Sequence, residues 1–150
     1  MGDWLLLVHV LAGMVWVGGI AVLGAIGVRA VRDRDPDAPA RFSATLRAIG
    51  PVVLAPAPVL LVGFGVWLVA HSPAWAFDQR WVQVGLGLFA AAFLVGAAHQ
   101  SRTAIAAERA AARGDRDEAV RALRRWLWGT AAIVALLVVA VWDMIFKPGL

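Results

Sequence analysis

Three residues near the start of the chain, His9, Gly13 and Trp16, have types and a spacing that can support chemistry inside a membrane. They are four and three residues apart within one long apolar run, so a helix places them on one face. An imidazole is a ligand for iron, copper or zinc, and a glycine one turn away leaves room for a flat ring or another helix. The pattern fits an axial haem or metal ligand and, equally, a histidine that hydrogen-bonds a neighbouring helix.

Two further histidines are weaker candidates. His99 lies near the end of the third apolar run and follows Ala92 and Gly96 at helical spacing, which fits either a ligand or a packing face. His71 ends the second run, where a solvated loop histidine is the simpler interpretation. The helical rise predicts a depth difference of about 20 Å between His9 and His99, so one metal ion cannot bind both.

A pocket formed from both ends of the chain is geometrically allowed. Met144 and Lys147 end the last apolar run at the depth of His9 and His71. Histidine with a methionine thioether favours copper(I), whereas histidine with a second nitrogen ligand favours haem. Alternatively, Asp143 and Lys147 are spaced to form a simple ion pair at a helix end.

Four apolar runs are long enough to carry these residues across a bilayer, since a membrane-spanning helix needs about 20 such residues. They cover residues 4–28, 49–70, 81–101 and 126–146. The 150 residues are 61% hydrophobic and 16% charged, whereas a soluble domain averages about 45–50% and 25%. We therefore predict one all-helical transmembrane domain over residues 1–150, folded as a four-helix bundle.

The basic residues predict how the bundle is oriented. All but Arg80 and Lys147 of the 14 lysines and arginines lie in the connections between spans one and two and between spans three and four. Cytoplasmic loops carry such an excess, so we expect a protein of the cytoplasmic (inner) membrane with both termini outside the cytoplasm. Trp126 and Trp128 are expected to mark the cytoplasmic end of span four.

The distribution of the basic residues also indicates which partners the protein has. The arginines flank apolar spans and do not form a binding face, so no nucleic-acid partner is expected. The expected partners are the lipid bilayer and, in addition to it, a second copy of the chain or another membrane protein.

The second span contains Pro51, Pro56 and Pro58. Pro51 fits the first turn of a helix, but the other two remove backbone donors inside the span and must kink or break it. Such a break is either a plain structural kink or a mark of a binding or transport site. Gly63 and Gly65 are interpreted as packing glycines, because no strand precedes them as a nucleotide-binding loop requires.

The two basic connections are expected to differ. Residues 104–112 are rich in helix formers, Gly114 fits a helix end, and Asp115 with Glu118 resembles a capping box that opens the next helix. These signals predict a cytoplasmic helical hairpin between spans three and four. Residues 33–39 predict an irregular turn in the first connection.

The run from His9 to Gly19 resembles the first helix of the CopD-like membrane families. These families include copper-resistance D domains, related bacterial integral membrane proteins and HemJ-type protoporphyrinogen oxidases. Trp81 followed by an apolar helix that ends in His99 resembles the third helix of the HemJ-type proteins. Residues 144–148, Met-Ile-Phe-Lys-Pro, resemble their terminal Lys-Pro motif.

The resemblance implies a protein that binds haem b or copper and has a redox or metal-handling role. It implies His9 as a ligand, His99 as a second family position, and Lys147 as the partner of an acidic group such as a propionate. HemJ-type proteins carry a lysine after the tryptophan of the third helix, and this chain has none there, so the CopD-like relatives are the better match. Two alternatives stay open: a non-catalytic subunit or scaffold without a cofactor, and transport of copper or a small molecule.

Overall fold

The computed structural model of the protein describes residues 2–149 and contains six α-helices. In chain order these are α1 (Gly2–Arg32), α2 (Ala38–Ile49), α3 (Pro56–His71), α4 (Arg80–Leu94), α5 (Ser101–Ala112) and α6 (Arg116–Phe146). The π-helical turns Gly50–Leu54 and Val95–Gln100 join α2 to α3 and α4 to α5. The result is four helical segments that are long and apolar enough to cross a membrane, which confirms the predicted four-span, all-helical fold.

The four segments alternate in direction, so the bundle has two chemically different ends. The terminal end contains the start of α1, the end of α6 and the connection 72–79. The basic end contains the connections 33–37 and 113–115, together with the arginines around them.

The helices pack around an incomplete square. Helix α1 packs along α3 and α6, and α6 packs along α4, whereas α3 and α4 barely touch. The rings of Trp16 and Phe89, 5.7 Å apart, bridge the wider gap between α1 and α4. The bundle therefore has three closed edges and one open edge, between α3 and α4. Toward the basic end, α2 packs on α5 and closes this edge.

The break predicted at the prolines of the second span is present. Ala55 lies in a turn between the π-helical turn Gly50–Leu54 and α3, which starts at Pro56. The N–H of Ala55 donates to the carbonyl of Gly50 at 3.0 Å, which is the five-residue spacing of a π-helix. Pro56 and Pro58 fall in the first turn of α3, where their missing N–H groups cost no intrahelical bond.

The second segment begins earlier than expected, because α2 starts within the predicted connection. Only residues 33–37 remain irregular. Phe42 explains the extension, since its ring packs edge-on against Trp126 with 5.3 Å between centroids and anchors α2 on α6. Trp126 is consequently 2% exposed and belongs to the core, whereas Trp128, 77% exposed, fits the interfacial position expected of both.

The predicted helical hairpin is formed by α5 and α6. Gly114 has a φ of 72°, a left-handed conformation that suits the end of α5. The Asp115 carboxylate accepts a hydrogen bond from the N–H of Glu118 at 2.9 Å and caps α6. An ion pair between Arg47 and Glu108 then ties α2 to α5 at the same end.

Asp35 holds the short connection 33–37 in shape. Its carboxylate accepts a hydrogen bond from the N–H of Asp37 at 2.9 Å and pairs with the guanidinium of Arg41 at 2.7 Å. These two bonds hold the pKa of Asp35 below its usual range. The turn therefore keeps its ion pair at neutral pH.

Polar groups inside the bundle bond to one another. The amide of Gln100 donates to the hydroxyl of Thr130 at 2.8 Å, and this hydroxyl donates to the carbonyl of Trp126 at 3.2 Å. The Thr103 hydroxyl lies 2.9 Å from the carbonyl oxygen of His99 and 3.1 Å from that of Gln100, both within the second π-helical turn. Hydrocarbon supplies no such partners, so these contacts keep the turn satisfied.

The Gln100–Thr130 hydrogen bond gives a test of the fold. Gln100→Leu and Thr130→Val should each lower the free energy of unfolding, with a coupling of about 0.5–1.5 kcal/mol between them, as for other interhelical bonds in membranes. SDS-induced unfolding in mixed micelles measures this double-mutant cycle. Thr45→Val is the control, because the Thr45 hydroxyl bonds within its own helix and should not couple to Gln100→Leu. Additive effects at Gln100 and Thr130 would contradict the contact.

Candidate functional site

His9 is half-buried and faces α3. Its Nδ1 lies 2.8 Å from the carbonyl oxygen of Leu61, which is its hydrogen-bond partner within residues 2–149. Because a carbonyl oxygen can only accept, the ring proton is on Nδ1. In the neutral ring, Nε2 therefore keeps the lone pair that a metal ligand needs.

Gly65 makes this contact possible. A Cβ atom at Gly65 would lie 2.9 Å from Cε1 and 3.1 Å from Nδ1 of His9. Contacts this short do not occur in a close-packed interior, so a larger residue would displace the imidazole. Gly65 is thus a packing glycine, as predicted, whereas a Cβ at Gly63 would meet nothing within 4 Å. A Cβ atom at Gly13, one turn from His9, would lie 3.5 Å from the side chain of Leu61.

A cleft of about 730 Å³, here called the terminal cleft, opens at the terminal end between α1, α3 and the connection 72–79. Its lining consists of Asp3, Trp4, Leu5, Leu6, Trp67, Leu68, His71, Ser72, Pro73 and Trp75. Leu5 is one turn from His9 along α1, and Leu68 is about one turn from Gly65 along α3. The His9–Gly65 contact therefore lies one turn below the cleft, whose volume is in the range of small-molecule sites.

His71 lines the terminal cleft and shares the protonation pattern of His9. Its Nδ1 lies 3.1 Å from the carbonyl oxygen of Trp67, and the two rings are 5.9 Å apart. The proton is again on Nδ1, which leaves Nε2 of this exposed ring free. A histidine that ligates a metal through one nitrogen usually donates the other N–H to a carbonyl or carboxylate, so both residues have a suitable arrangement.

His99 occupies a different level of the bundle. Its Nε2 donates to the carbonyl of Arg125 at 3.0 Å, near the start of α6 and therefore toward the basic end. Its ring covers Gly129, where a Cβ would come within 2.7 Å of Cδ2. This placement agrees with the depth argument that separated His99 from His9.

Asp143 is the most deeply buried charged residue among those described, with 1% of its surface exposed. Neither carboxylate oxygen has a hydrogen-bond partner within residues 2–149. Oδ2 faces Gly85 of α4, where a Cβ would lie 3.5 Å away, and the methyl group of Met144 packs at the same position. Burying a carboxylate without a partner costs free energy. Among the described residues, Asp143 therefore does not stabilise the bundle through a hydrogen bond or an ion pair.

The ion pair between Asp143 and Lys147 that their spacing suggested is not formed among the described residues. The N–H of Lys147 still donates to the carbonyl of Asp143 at 2.8 Å, but the left-handed φ of 44° turns the lysine side chain away from the direction that a continued helix would give it. Its ammonium lies 4.7 Å from the ring centroid of Trp75 and 5.3 Å from that of Trp81. The lysine is therefore held by cation–π contacts beside a wall of the terminal cleft.

The candidate residues thus fall into two groups at the terminal end. His9 contacts α3 and His71 lines the terminal cleft, whereas Met144 packs toward α4 and Lys147 lies over the ring of Trp75. In the part of the chain that the structure describes, no three His, Asp or Glu side chains are grouped so that they could hold a metal ion.

Gln79, which the sequence reasoning missed, fixes the wall of the cleft. Its side-chain oxygen accepts hydrogen bonds from the indole of Trp81 at 3.0 Å and from the N–H of Ala76 at 3.2 Å. Its amide donates to the carbonyl of Ala74 at 3.2 Å. A single glutamine before a helix carries no sequence signal for this role.

A family described as predicted integral membrane protein (DUF2269) matches residues 3–148, almost the whole chain. The chain belongs to this family. No curated protein and no solved structure matches the chain. Family membership and the four apolar spans together establish an integral membrane protein whose helices contact lipid. This family match does not test the resemblance to CopD-like and HemJ-type proteins, which stays a hypothesis.

The contact between His9 and Gly65 predicts a specific coupling. Gly65→Ala should lower the free energy of unfolding by about 1–3 kcal/mol, because the added methyl group overpacks the site and displaces the imidazole. Gly63→Ala is the matched control and should cause no loss, since that position is open. In a His9→Ala background the cost of Gly65→Ala should disappear. An equal cost in both backgrounds, measured by SDS-induced unfolding, would contradict the contact.

Proposed function

We propose that this integral membrane protein binds haem b or copper at the terminal end of its bundle and has a redox or metal-handling role. His9 is the leading ligand. The observation that carries the proposal is the hydrogen bond from its Nδ1–H to the carbonyl of Leu61, which leaves Nε2 for a metal. His71 has the same arrangement and is the second candidate.

The residues at the terminal end fit such a group in chemistry and in size. Neutral imidazole is a good ligand for iron and copper, and tryptophan walls suit a flat, largely apolar macrocycle. The volume of the terminal cleft is adequate for a small-molecule cofactor. A bound haem or copper ion would supply one-electron chemistry.

The surrounding residues have separate tasks in this proposal. Leu61 orients the His9 ring, and Gly65 makes room for it. Gly13 and Trp16 extend the same face of α1, and Trp16 reaches α4 through Phe89. These contacts keep the imidazole at one position.

Three other residues have secondary roles in this proposal. Lys147, held over Trp75, supplies a cation for an acidic group such as a propionate. Met144 is the thioether donor of a copper site, although its contact with Gly85 lies on the α4 side. His99 is a second histidine position at another level of the bundle.

The orientation belongs to the same proposal: the basic end faces the cytoplasm, and both termini lie outside it, in the cytoplasmic membrane. The arginine excess at the basic end supports this direction. The site would then open on the outer face of the membrane.

Cysteine labelling tests the orientation, because the chain contains no cysteine. Asp78→Cys at the terminal end and Ala112→Cys at the basic end both replace exposed residues. A membrane-impermeant maleimide added to intact cells should label Asp78→Cys, and it should label Ala112→Cys only after the membrane is opened. The reverse pattern would overturn the proposed orientation.

Absorption spectroscopy and elemental analysis of the purified protein test the cofactor. The expected result is a Soret band, or stoichiometric copper, that His9→Ala removes and that Gly65→Ala weakens by displacing the ring. His71→Ala, His99→Ala and Met144→Leu, compared one by one, show which second residue contributes. If the signal survives His9→Ala, the leading ligand is wrong and the variant that loses it identifies another.

Two outcomes favour the alternative functions. A colourless protein that also contains no copper after purification in copper-supplemented medium would overturn cofactor binding and favour a non-catalytic subunit or scaffold. Copper-dependent uptake into vesicles that contain the protein would favour transport, with the broken second span as the path.

A further inference from the structure

A groove of about 370 Å³ lies at the basic end between α1 and α6, at the opposite end of the bundle from the terminal cleft. The residues that line this arginine groove are Val28, Val31, Arg32, Arg124, Leu127 and Trp128. We propose that it binds an anionic phospholipid, with the phosphate on the two arginines and the acyl chains along the apolar residues.

The lining changes from charged to apolar with depth. Helix α1 runs toward the basic end and α6 starts from it, so Arg32 and Arg124 lie nearer this end than Val28 and Trp128. Four residues of helix correspond to a depth of about 6 Å. A phospholipid has the same order of groups, with a charged phosphate at the surface and hydrocarbon below it.

The two arginines have charge that nothing in the described chain neutralises. Within residues 2–149 the ion pairs are made by Arg41, Arg47 and Arg113, and neither Arg32 nor Arg124 has a carboxylate partner. Guanidinium groups bind phosphate oxygens through two parallel hydrogen bonds. Basic pockets between membrane helices bind lipid headgroups on this principle.

The floor and side of the arginine groove suit lipid chains that lie on the outside of the bundle. Helices α1 and α6 approach closely just below the groove, where a Cβ at Gly24 or Gly27 would lie 3.1 Å from Thr130 or Leu127. This close approach blocks entry between the two helices. Trp128 stands beside the groove with 77% of its surface exposed, as expected of an indole at the interface of a bilayer.

Native mass spectrometry of the detergent-solubilised protein tests the proposal. The probes are phosphatidylglycerol and phosphatidylcholine with the same acyl chains, and the wild-type protein should retain phosphatidylglycerol in preference. Arg32→Gln combined with Arg124→Gln should weaken phosphatidylglycerol binding about thirty-fold, the combined effect expected for two basic residues near an anionic headgroup. Binding of phosphatidylcholine should not change.

The matched control is Arg102→Gln combined with Arg109→Gln. This pair removes the same charge from exposed positions on α5, which is outside the groove, and should keep the preference for phosphatidylglycerol. Glycerol phosphate, which has no acyl chains, should not bind, and this separates a lipid site from a free-phosphate site.

Three results would overturn the proposal. They are equal retention of the two lipids by the wild-type protein, an equal loss in both arginine pairs, and binding of glycerol phosphate as tight as that of the lipid. The first comparison uses only the wild-type chain, so it holds even if a variant fails to fold.

Discussion

The hydrocarbon of a bilayer offers no hydrogen-bond partners, and this constraint shapes the structure at every level. It explains why the chain is helical throughout its spans. It also explains why a side-chain hydroxyl lies within hydrogen-bond distance of backbone carbonyls at an irregular turn. The hydroxyl of Thr103 lies within hydrogen-bond distance of two carbonyls of one π-helical turn, and the ring N–H of His9 donates to a carbonyl of α3. Asp143, which lies within the last span with both oxygens unpartnered among the described residues, departs from this pattern.

The positions of a few glycines decide which edges of the bundle close. Gly65 lets α3 approach His9, and Gly24 and Gly27 let α6 approach α1. Across the diagonal between α1 and α4, where the backbones are farther apart, the rings of Trp16 and Phe89 make the contact. The contact between α1 and α3 also forms the candidate site. His9 lies on the face of α1 that packs against α3, and Gly65 of α3 leaves room for its ring.

Local signals in the sequence were sufficient for much of the fold. Apolar length predicts the four spans, the missing donors of Pro56 and Pro58 predict the break, and Gly114 with Asp115 predicts the hairpin. These features depend on residues close in sequence. The early start of α2 and the burial of Trp126 depend on a contact between distant elements, and composition alone does not encode it.

The same distinction between local signals and contacts of distant elements applies to the candidate site. The type and depth of His9 single it out in the sequence, but its partner Leu61 depends on how α1 and α3 are aligned. The separation of Lys147 from Asp143 depends on one left-handed residue at the end of a helix. Helical spacing assumes that the helix continues, so it predicts a pair that the actual helix end prevents.

The open edge gives the bundle a C-shaped cross-section. Over its spanning length α4 packs chiefly along α6 and hardly touches α3. The opening is lateral and faces acyl chains, not water. Because α3 and α4 both belong to apolar spans, the acyl chains of the bilayer border this side of the interior and act as its fourth wall.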